Sequence, residues 1–170
     1  MPSARTRPAR PPRPAAPPLP ILDALDETHR QIMRVLAELE RLVSLLTRPA
    51  EEATAAVLAA HACGFFNGAA RGHHEDEETT VFPSLLADAP AELLAHVRRL
   101  QQDHNWLEED WLELEPHLQA VAQGYGRDHV AFLRAALPEF TTLYHEHIAL
   151  EESLIYPEAR RRLAMQGTAD

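Results

Sequence analysis

The sequence predicts an all-α fold, an up-down-up-down bundle of four helices preceded by a disordered Pro/Arg-rich tail. Three observations predict it. Apolar residues recur in alternating steps of three and four through four segments separated by Pro or Gly, the period of one buried helix face. Helix formers dominate, and only six glycines occur in 170 residues. Finally, the pattern His-x-x-x-Glu-Glu-x-x-apolar-aromatic-Pro occurs twice, from His73 to Pro83 and from His147 to Pro157. A repeat at an offset of 74 is too long for a solenoid and reads as two helical hairpins related by an approximate two-fold axis.

Residues 1–20 hold eight of the fourteen prolines and four arginines, with no acid. Such a segment cannot bury enough apolar surface to offset its ordering entropy, which predicts a tail of polyproline character. A domain over residues 21–165 follows. Its first helix carries Leu22, Leu25, Ile32, Leu36, Leu39, Val43 and Leu46, with His29 filling the gap in the series, and ends at Arg48-Pro49. The second starts near Ala50, with Glu51 and Glu52 at its positive end, and runs through Phe65 and Phe66 to His73 and Glu77. Gly64, Gly68 and Gly72 along it predict either close helix packing or a break. The third follows Pro90 and carries Leu93, Val97, Leu100, His104, Leu107, Trp111, Leu114, Leu118 and Val121. The fourth carries Leu133, Leu137, Phe140, Tyr144, His147, Glu151 and Leu154. Pro116 and Pro138 predict kinks or local loosening in these last two. Short connections between amphipathic helices make antiparallel neighbours.

The formal net charge is −10, and the four tail arginines leave −14 on the rest. So acidic a body argues against nucleic acid as the main partner. No run of about 18 apolar residues predicts a membrane span, and no apolar segment near the start predicts a secretory signal. A single cysteine, Cys63, excludes an internal disulfide and suits a reducing compartment, so the cytoplasm is the expected location.

The chemistry lies along the seam. Residues four apart share a helix face, so His73 with Glu77 and His147 with Glu151 each present an imidazole and a carboxylate in one direction. His29 and His104 correspond at an offset of 75 and fall at the same depth. Burying two carboxylates among leucines costs several kcal/mol each unless a cation meets them. The arginines lie mostly off the seam, and a pair of metal ions answers the need. Nitrogen and oxygen donors without thiolate suit iron, manganese or zinc. Four His and two Glu leave coordination positions for an oxo or hydroxo bridge, water or a diatomic ligand. The expected metal residues are therefore His29, His73, Glu77, His104, His147 and Glu151. A ferritin-type Glu-x-x-His is absent, as is the zinc-hydrolase His-Glu-x-x-His.

These residues, over about 21–160, resemble the hemerythrin-like, or HHE cation-binding, domain family. The resemblance implies a four-helix bundle with a non-haem di-iron centre. It implies that His29 and His104 are the ligands from helices one and three. His73 with bridging Glu77, and His147 with bridging Glu151, would come from helices two and four. The oxygen-carrying members place His-x-x-x-His on the third helix, where this chain has His104-Asn105-Trp106-Leu107-Glu108. On the fourth they place His-x-x-x-x-Asp, where this chain has His147-x-x-x-Glu151. The spacing is closer to the bacterial branch that includes di-iron proteins of iron–sulfur cluster repair.

His74 and Glu78 form a second His-x-x-x-Glu pair about 100° round the helix. They are expected beside the ligands or at the surface, with ligation by His74 as the alternative, because the echo of His74 is Ile148. His145 is expected to be solvated or to support a ligand, and Glu108 to be solvated or an added ligand. His61, His96, His117 and His129 are expected to be ordinary. Phe66, Leu100, Trp106, Leu107, Tyr144 and Leu154 are candidate pocket walls. The expected function is a non-haem di-iron protein that binds O2 or NO or responds to redox or iron status, as sensor, store or iron donor. The alternative is a di-iron enzyme that consumes NO or peroxide or repairs iron–sulfur clusters.

Overall fold

The computed structural model describes residues 19–124 and 126–167. The expected tail therefore lies, up to residue 18, outside the described residues. Leu19 and Pro20 belong to the first helix instead, since proline is tolerated in a first turn, where its missing N–H has no partner to lose. Four helices follow one another: α1 (Leu19–Leu45), α2 (Pro49–Leu86), α3 (Ala91–Ala122) and α4 (130–167), with no strand among the described residues. Each packs against its chain neighbours, and α4 returns against α1, which closes the expected bundle.

The seams fall largely where the periodicity puts them. All nine apolar and histidine seam positions of α3 are buried. In α1 the buried series ends at Leu39, Leu42 and Leu45, not at Val43 and Leu46, which are half-buried.

Three wider, π-type turns interrupt the helices: Phe66–Ala70, Glu77–Val81 and Glu151–Ile155. The second and third begin at the two repeated glutamates. A wider turn adds a residue, so the inward positions beyond it shift. Val81 and Phe82, and Ile155 and Tyr156, are buried, whereas Leu154 is left 36% exposed. Leu154 is thus neither a seam residue nor a pocket wall. Trp106, 50% exposed, is not a wall either.

The α2 glycines serve neither expected purpose. A Cβ on Gly64, Gly68 or Gly72 would meet nothing within 4 Å, and the helix continues through all three. The third helix also continues through Pro116, and α4 through Pro138. By length and composition α2 would suffice to cross a membrane despite lacking an unbroken apolar run. In this fold one face of it is core, packed against α1 and α3.

Two apolar clusters fill the bundle. One holds Ile32–Leu45 positions with Phe66, Leu107, Trp111, Phe140 and Tyr144. The other holds Leu22 and Leu25 with Phe82, Leu100, Ile155 and Tyr156. Between them lies one polar layer, because each helix replaces its apolar seam residue there by His or Glu.

Candidate metal centre

That layer brings together all six residues singled out in the sequence. His29, His73, Glu77, His104, His147 and Glu151 are buried, none more than 7% exposed. The imidazoles pair within hairpins: His29 with His73 at 4.7 Å between ring centroids, His104 with His147 at 4.8 Å. The carboxylates span hairpins. Glu77 Oε2 lies 3.4 Å from His73 Nε2 and 3.3 Å from His104 Nε2. Glu151 lies 3.1 Å from both His29 Nε2 and His147 Nε2. Two donor groups result, His29–His73–Glu77–Glu151 and Glu77–His104–His147–Glu151, each with its ligand atoms within 4.8 Å of one another. The two glutamates are common to both.

The donors fit a metal pair. Both nitrogens of His73 and of His147, Nε2 of His104, Oε2 of Glu77 and both oxygens of Glu151 are buried with no hydrogen-bond partner. They sit at charge-pair distance from one another but not at hydrogen-bond angles. Each such orphan costs about 1–3 kcal/mol in a protein interior, a cost that ions at the shared centre would remove. The electrostatics point the same way. Burial opposes charge on His147, yet Glu151 and Asp103 beside it raise its pKa to about 10. Burial likewise opposes charge on His29 and His104, and is outweighed by Glu151 at the first and by Glu77 and Glu78 at the second, so both are raised. Burial also opposes ionisation of Glu151, but His147 and His29 hold its pKa far below the usual carboxylate range. His73 goes the other way, lowered to about 4 by burial that Glu77 only partly offsets. Without metal, the carboxylates beside them favour protons on His29, His104 and His147.

Supporting contacts follow the same pseudo-symmetry. The second glutamate of each Glu-Glu doublet reaches the histidine of the opposite hairpin. Glu78 Oε1 lies 3.0 Å from His104 Nδ1, and Glu152 Oε1 lies 3.2 Å from His29 Nδ1. A carboxylate at Nδ1 fixes the proton there and turns Nε2 inward, the arrangement that orients metal-bound histidines. The doublet is the signal in the sequence: Glu78 is expected there beside the ligands or at the surface, and Glu152 is not singled out.

Two further residues went unread in the sequence. Tyr156, the motif's aromatic, is stacked on His29 at 5.1 Å. Its hydroxyl donates to Glu77 Oε1 at 2.5 Å and lies 3.2 Å from His29 Nε2. Burial and the two glutamates push its pKa up, so it stays a neutral donor. Its echo Phe82 is stacked on His104 at 5.6 Å with no hydroxyl to give. Asp103, 1% exposed, faces His147 Nδ1 at 3.8 Å. Its echo is Thr28, whose hydroxyl goes to its own helix. No spacing rule marks either residue, because both act across helices.

His74 lies at the layer's edge, its ring 4.2 Å from that of His104, and the remaining candidates lie outside it. Glu108 pairs with Arg71 at the surface, His145 with Glu40, and His61 with Glu38. His117 and His129 face each other, Nδ1 to Nδ1, at 2.8 Å. Cys63 is buried, and burial pushes its thiol up to about 11.

Four antiparallel helices around a buried His/Glu layer with two shared carboxylates define a cation-binding bundle. The model of the hemerythrin HHE cation-binding domain matches residues 20–159, and the chain belongs to that family, whose domains bind metal cations, typically iron. A protein of Haemophilus influenzae described as uncharacterized is 36% identical over 90 residues, which cover 53% of this chain and 50% of that one. The match thus spans about half the length of that relative. No solved structure matches.

Proposed function

We propose that the chain holds two iron ions, one between His29 and His73, the other between His104 and His147, with Glu77 and Glu151 bridging both. One observation carries the reading: each carboxylate approaches imidazoles of both hairpins, in a layer most of whose inward nitrogens and oxygens have no hydrogen-bond partner. A bound iron pair supplies reversible one-electron change and a coordination position for a small diatomic molecule such as O2 or NO.

The chain supplies the rest. Neutral imidazoles would donate lone pairs, and the two carboxylates would offset part of the ionic charge. Glu78 and Glu152 hold His104 and His29 in register. The apolar clusters above and below keep water out, which strengthens every charge interaction inside. Tyr156 presents a neutral hydroxyl beside the His29 side of the layer. Such a site suits a sensor of O2, NO or redox state, or a store or donor of iron, acting in the cytoplasm without nucleic acid or membrane as partner.

The test is metal content of the purified chain, with absorption spectra before and after reduction and re-exposure to air. Two irons per chain and a spectrum that changes with redox state are expected, with the metal lost in His73→Ala and in His147→Ala. A chain that carries no iron, and whose melting temperature is indifferent to chelator, would leave an interaction bundle. Steady consumption of NO or peroxide by the loaded protein would favour the enzymatic alternative.

A further inference from the structure

Two further histidines, 12 residues apart in the chain, meet where α3 turns into α4. The Nδ1 atoms of His117 and His129 lie 2.8 Å apart, with ring centroids at 4.8 Å and the rings inclined at 77°. Both side chains are half-buried. His117 is also stacked on Phe132 of α4, at 4.0 Å and 19°, which holds its plane. Burial, and the neighbouring His129, lower the pKa of His117, so its ring stays neutral near pH 7 and keeps a lone pair to give. Two neutral imidazoles that meet through Nδ1 need opposite tautomers, one nitrogen protonated and the other bare. The single bond they form replaces bonds to water, and such an exchange gains little. An ion between them takes both lone pairs at once. At nitrogen–metal bonds of about 2.0–2.1 Å, a separation of 2.8 Å closes an angle of about 85–90° at the ion. That is the angle between neighbouring ligands of a square-planar or octahedral ion. Tetrahedral zinc would hold the two nitrogens about 3.3 Å apart.

We propose that His117 and His129 form a second metal site, separate from the His/Glu layer, which takes nickel(II) or copper(II) through the two Nδ1 atoms. Water fills the other positions. The site does not depend on the two-ion reading. His117 lies 13 residues beyond His104 on α3, about 20 Å along the helix. An ion there ties the end of α3 to the start of α4, the two helices that supply His104 and His147 to the layer.

The test is equilibrium dialysis of the iron-loaded, full-length protein against nickel(II), followed by metal analysis. Wild type is compared with His117→Gln, His129→Gln and the double variant. Wild type should take up one nickel per chain with its iron content unchanged. Each single variant should lose affinity by about 100-fold or more, beyond the cost of altering an outer partner. The double variant should be little worse, because the two rings act as one unit. Equal uptake by wild type and all three variants, or no uptake, overturns the site and leaves the two-ion reading standing. Zinc held more tightly than nickel overturns the geometry assigned to it. A chain that holds no iron overturns the two-ion reading alone, since a difference of one nickel between wild type and variants still decides for the His117–His129 site. Should the variants not fold, the wild type decides: paramagnetic nickel(II) broadens the ring protons of His117 and His129 first, and broadening that starts at His61 or His96 overturns the site.

Discussion

The hydroxyl of Tyr156 donates to Glu77 Oε1 across the bundle at 2.5 Å, a contact between residues 79 positions apart. It ties the end of one repeat motif to the carboxylate of the other. The mirror contact is absent, because Phe82 stands in the equivalent place. Tyr156→Phe is therefore a substitution the frame already accommodates in its other half, and it removes only the hydrogen bond. Without metal it leaves a buried carboxylate oxygen short of a donor, a loss of about 1–3 kcal/mol. With metal bound, ions compensate Glu77 and the loss shrinks. Thermal melts of wild type and variant, each with chelator and with iron, should show the larger drop in the metal-free pair. Equal drops would mean that the hydroxyl does not act through Glu77.

Glu78→Gln and Glu152→Gln should weaken metal retention without unfolding the chain. Each glutamine keeps the shape but loses the charge that holds a proton on Nδ1 of His104 or His29. Changes at such outer positions typically cost about 10–100-fold in metal affinity. Competition with a chelator measures this. The two variants should be similar in size, since the contacts are related by the repeat.

The pH dependence of the metal-free protein has a definite sign. His29, His104 and His147 have raised pKa values, the last to about 10, so each contributes stability that is fully present below its unfolded value near 6.5. That stability is lost as pH rises through the folded values. His73, lowered to about 4, and His74 act in the opposite sense, but only below 6.5, where the unfolded chain would protonate them. Denaturant melts in chelator should thus show stability falling from pH 7 to pH 10. Metal loading, which displaces those protons, should release acid at pH 7, and metal affinity should rise with pH.

Gly64→Ala should stabilise the fold. The position is exposed in a regular part of α2, and the new methyl meets nothing within 4 Å. Replacing glycine inside a helix gains about 0.5–1 kcal/mol, or roughly 2–4 °C per kcal/mol in a chain of this size. A lowered melting temperature would show that the glycine serves a contact the fold does not reveal.

Arg162 anchors the end of α4. It is buried, pairs with Glu158 at 2.8 Å, and donates to the carbonyls of Ser84 and Asp88 at 2.7 and 2.8 Å. Its charge thereby meets the negative end of α2. Arg162→Ala should lower the melting temperature and free the last turns to exchange amide protons faster. Metal content should be unchanged, because the residue lies outside the polar layer.

Features that depend on residues close in the chain were legible without coordinates. Helical period set the four helices and most of the seam, and the four-residue interval set His73 with Glu77 and His147 with Glu151. The 74-residue repeat then aligned the two halves, so the six buried donors could be named without coordinates. One departure also has a local cause, a widened turn that turned Leu154 outward and Ile155 inward. What only the tertiary structure decided is everything joined across helices. Which imidazoles pair, how Glu78 and Glu152 cross to the opposite hairpin, and how Tyr156 reaches Glu77 all depend on rotation and depth of docked helices. Periodicity along one chain segment carries no information about either, because packing against the other three helices sets them.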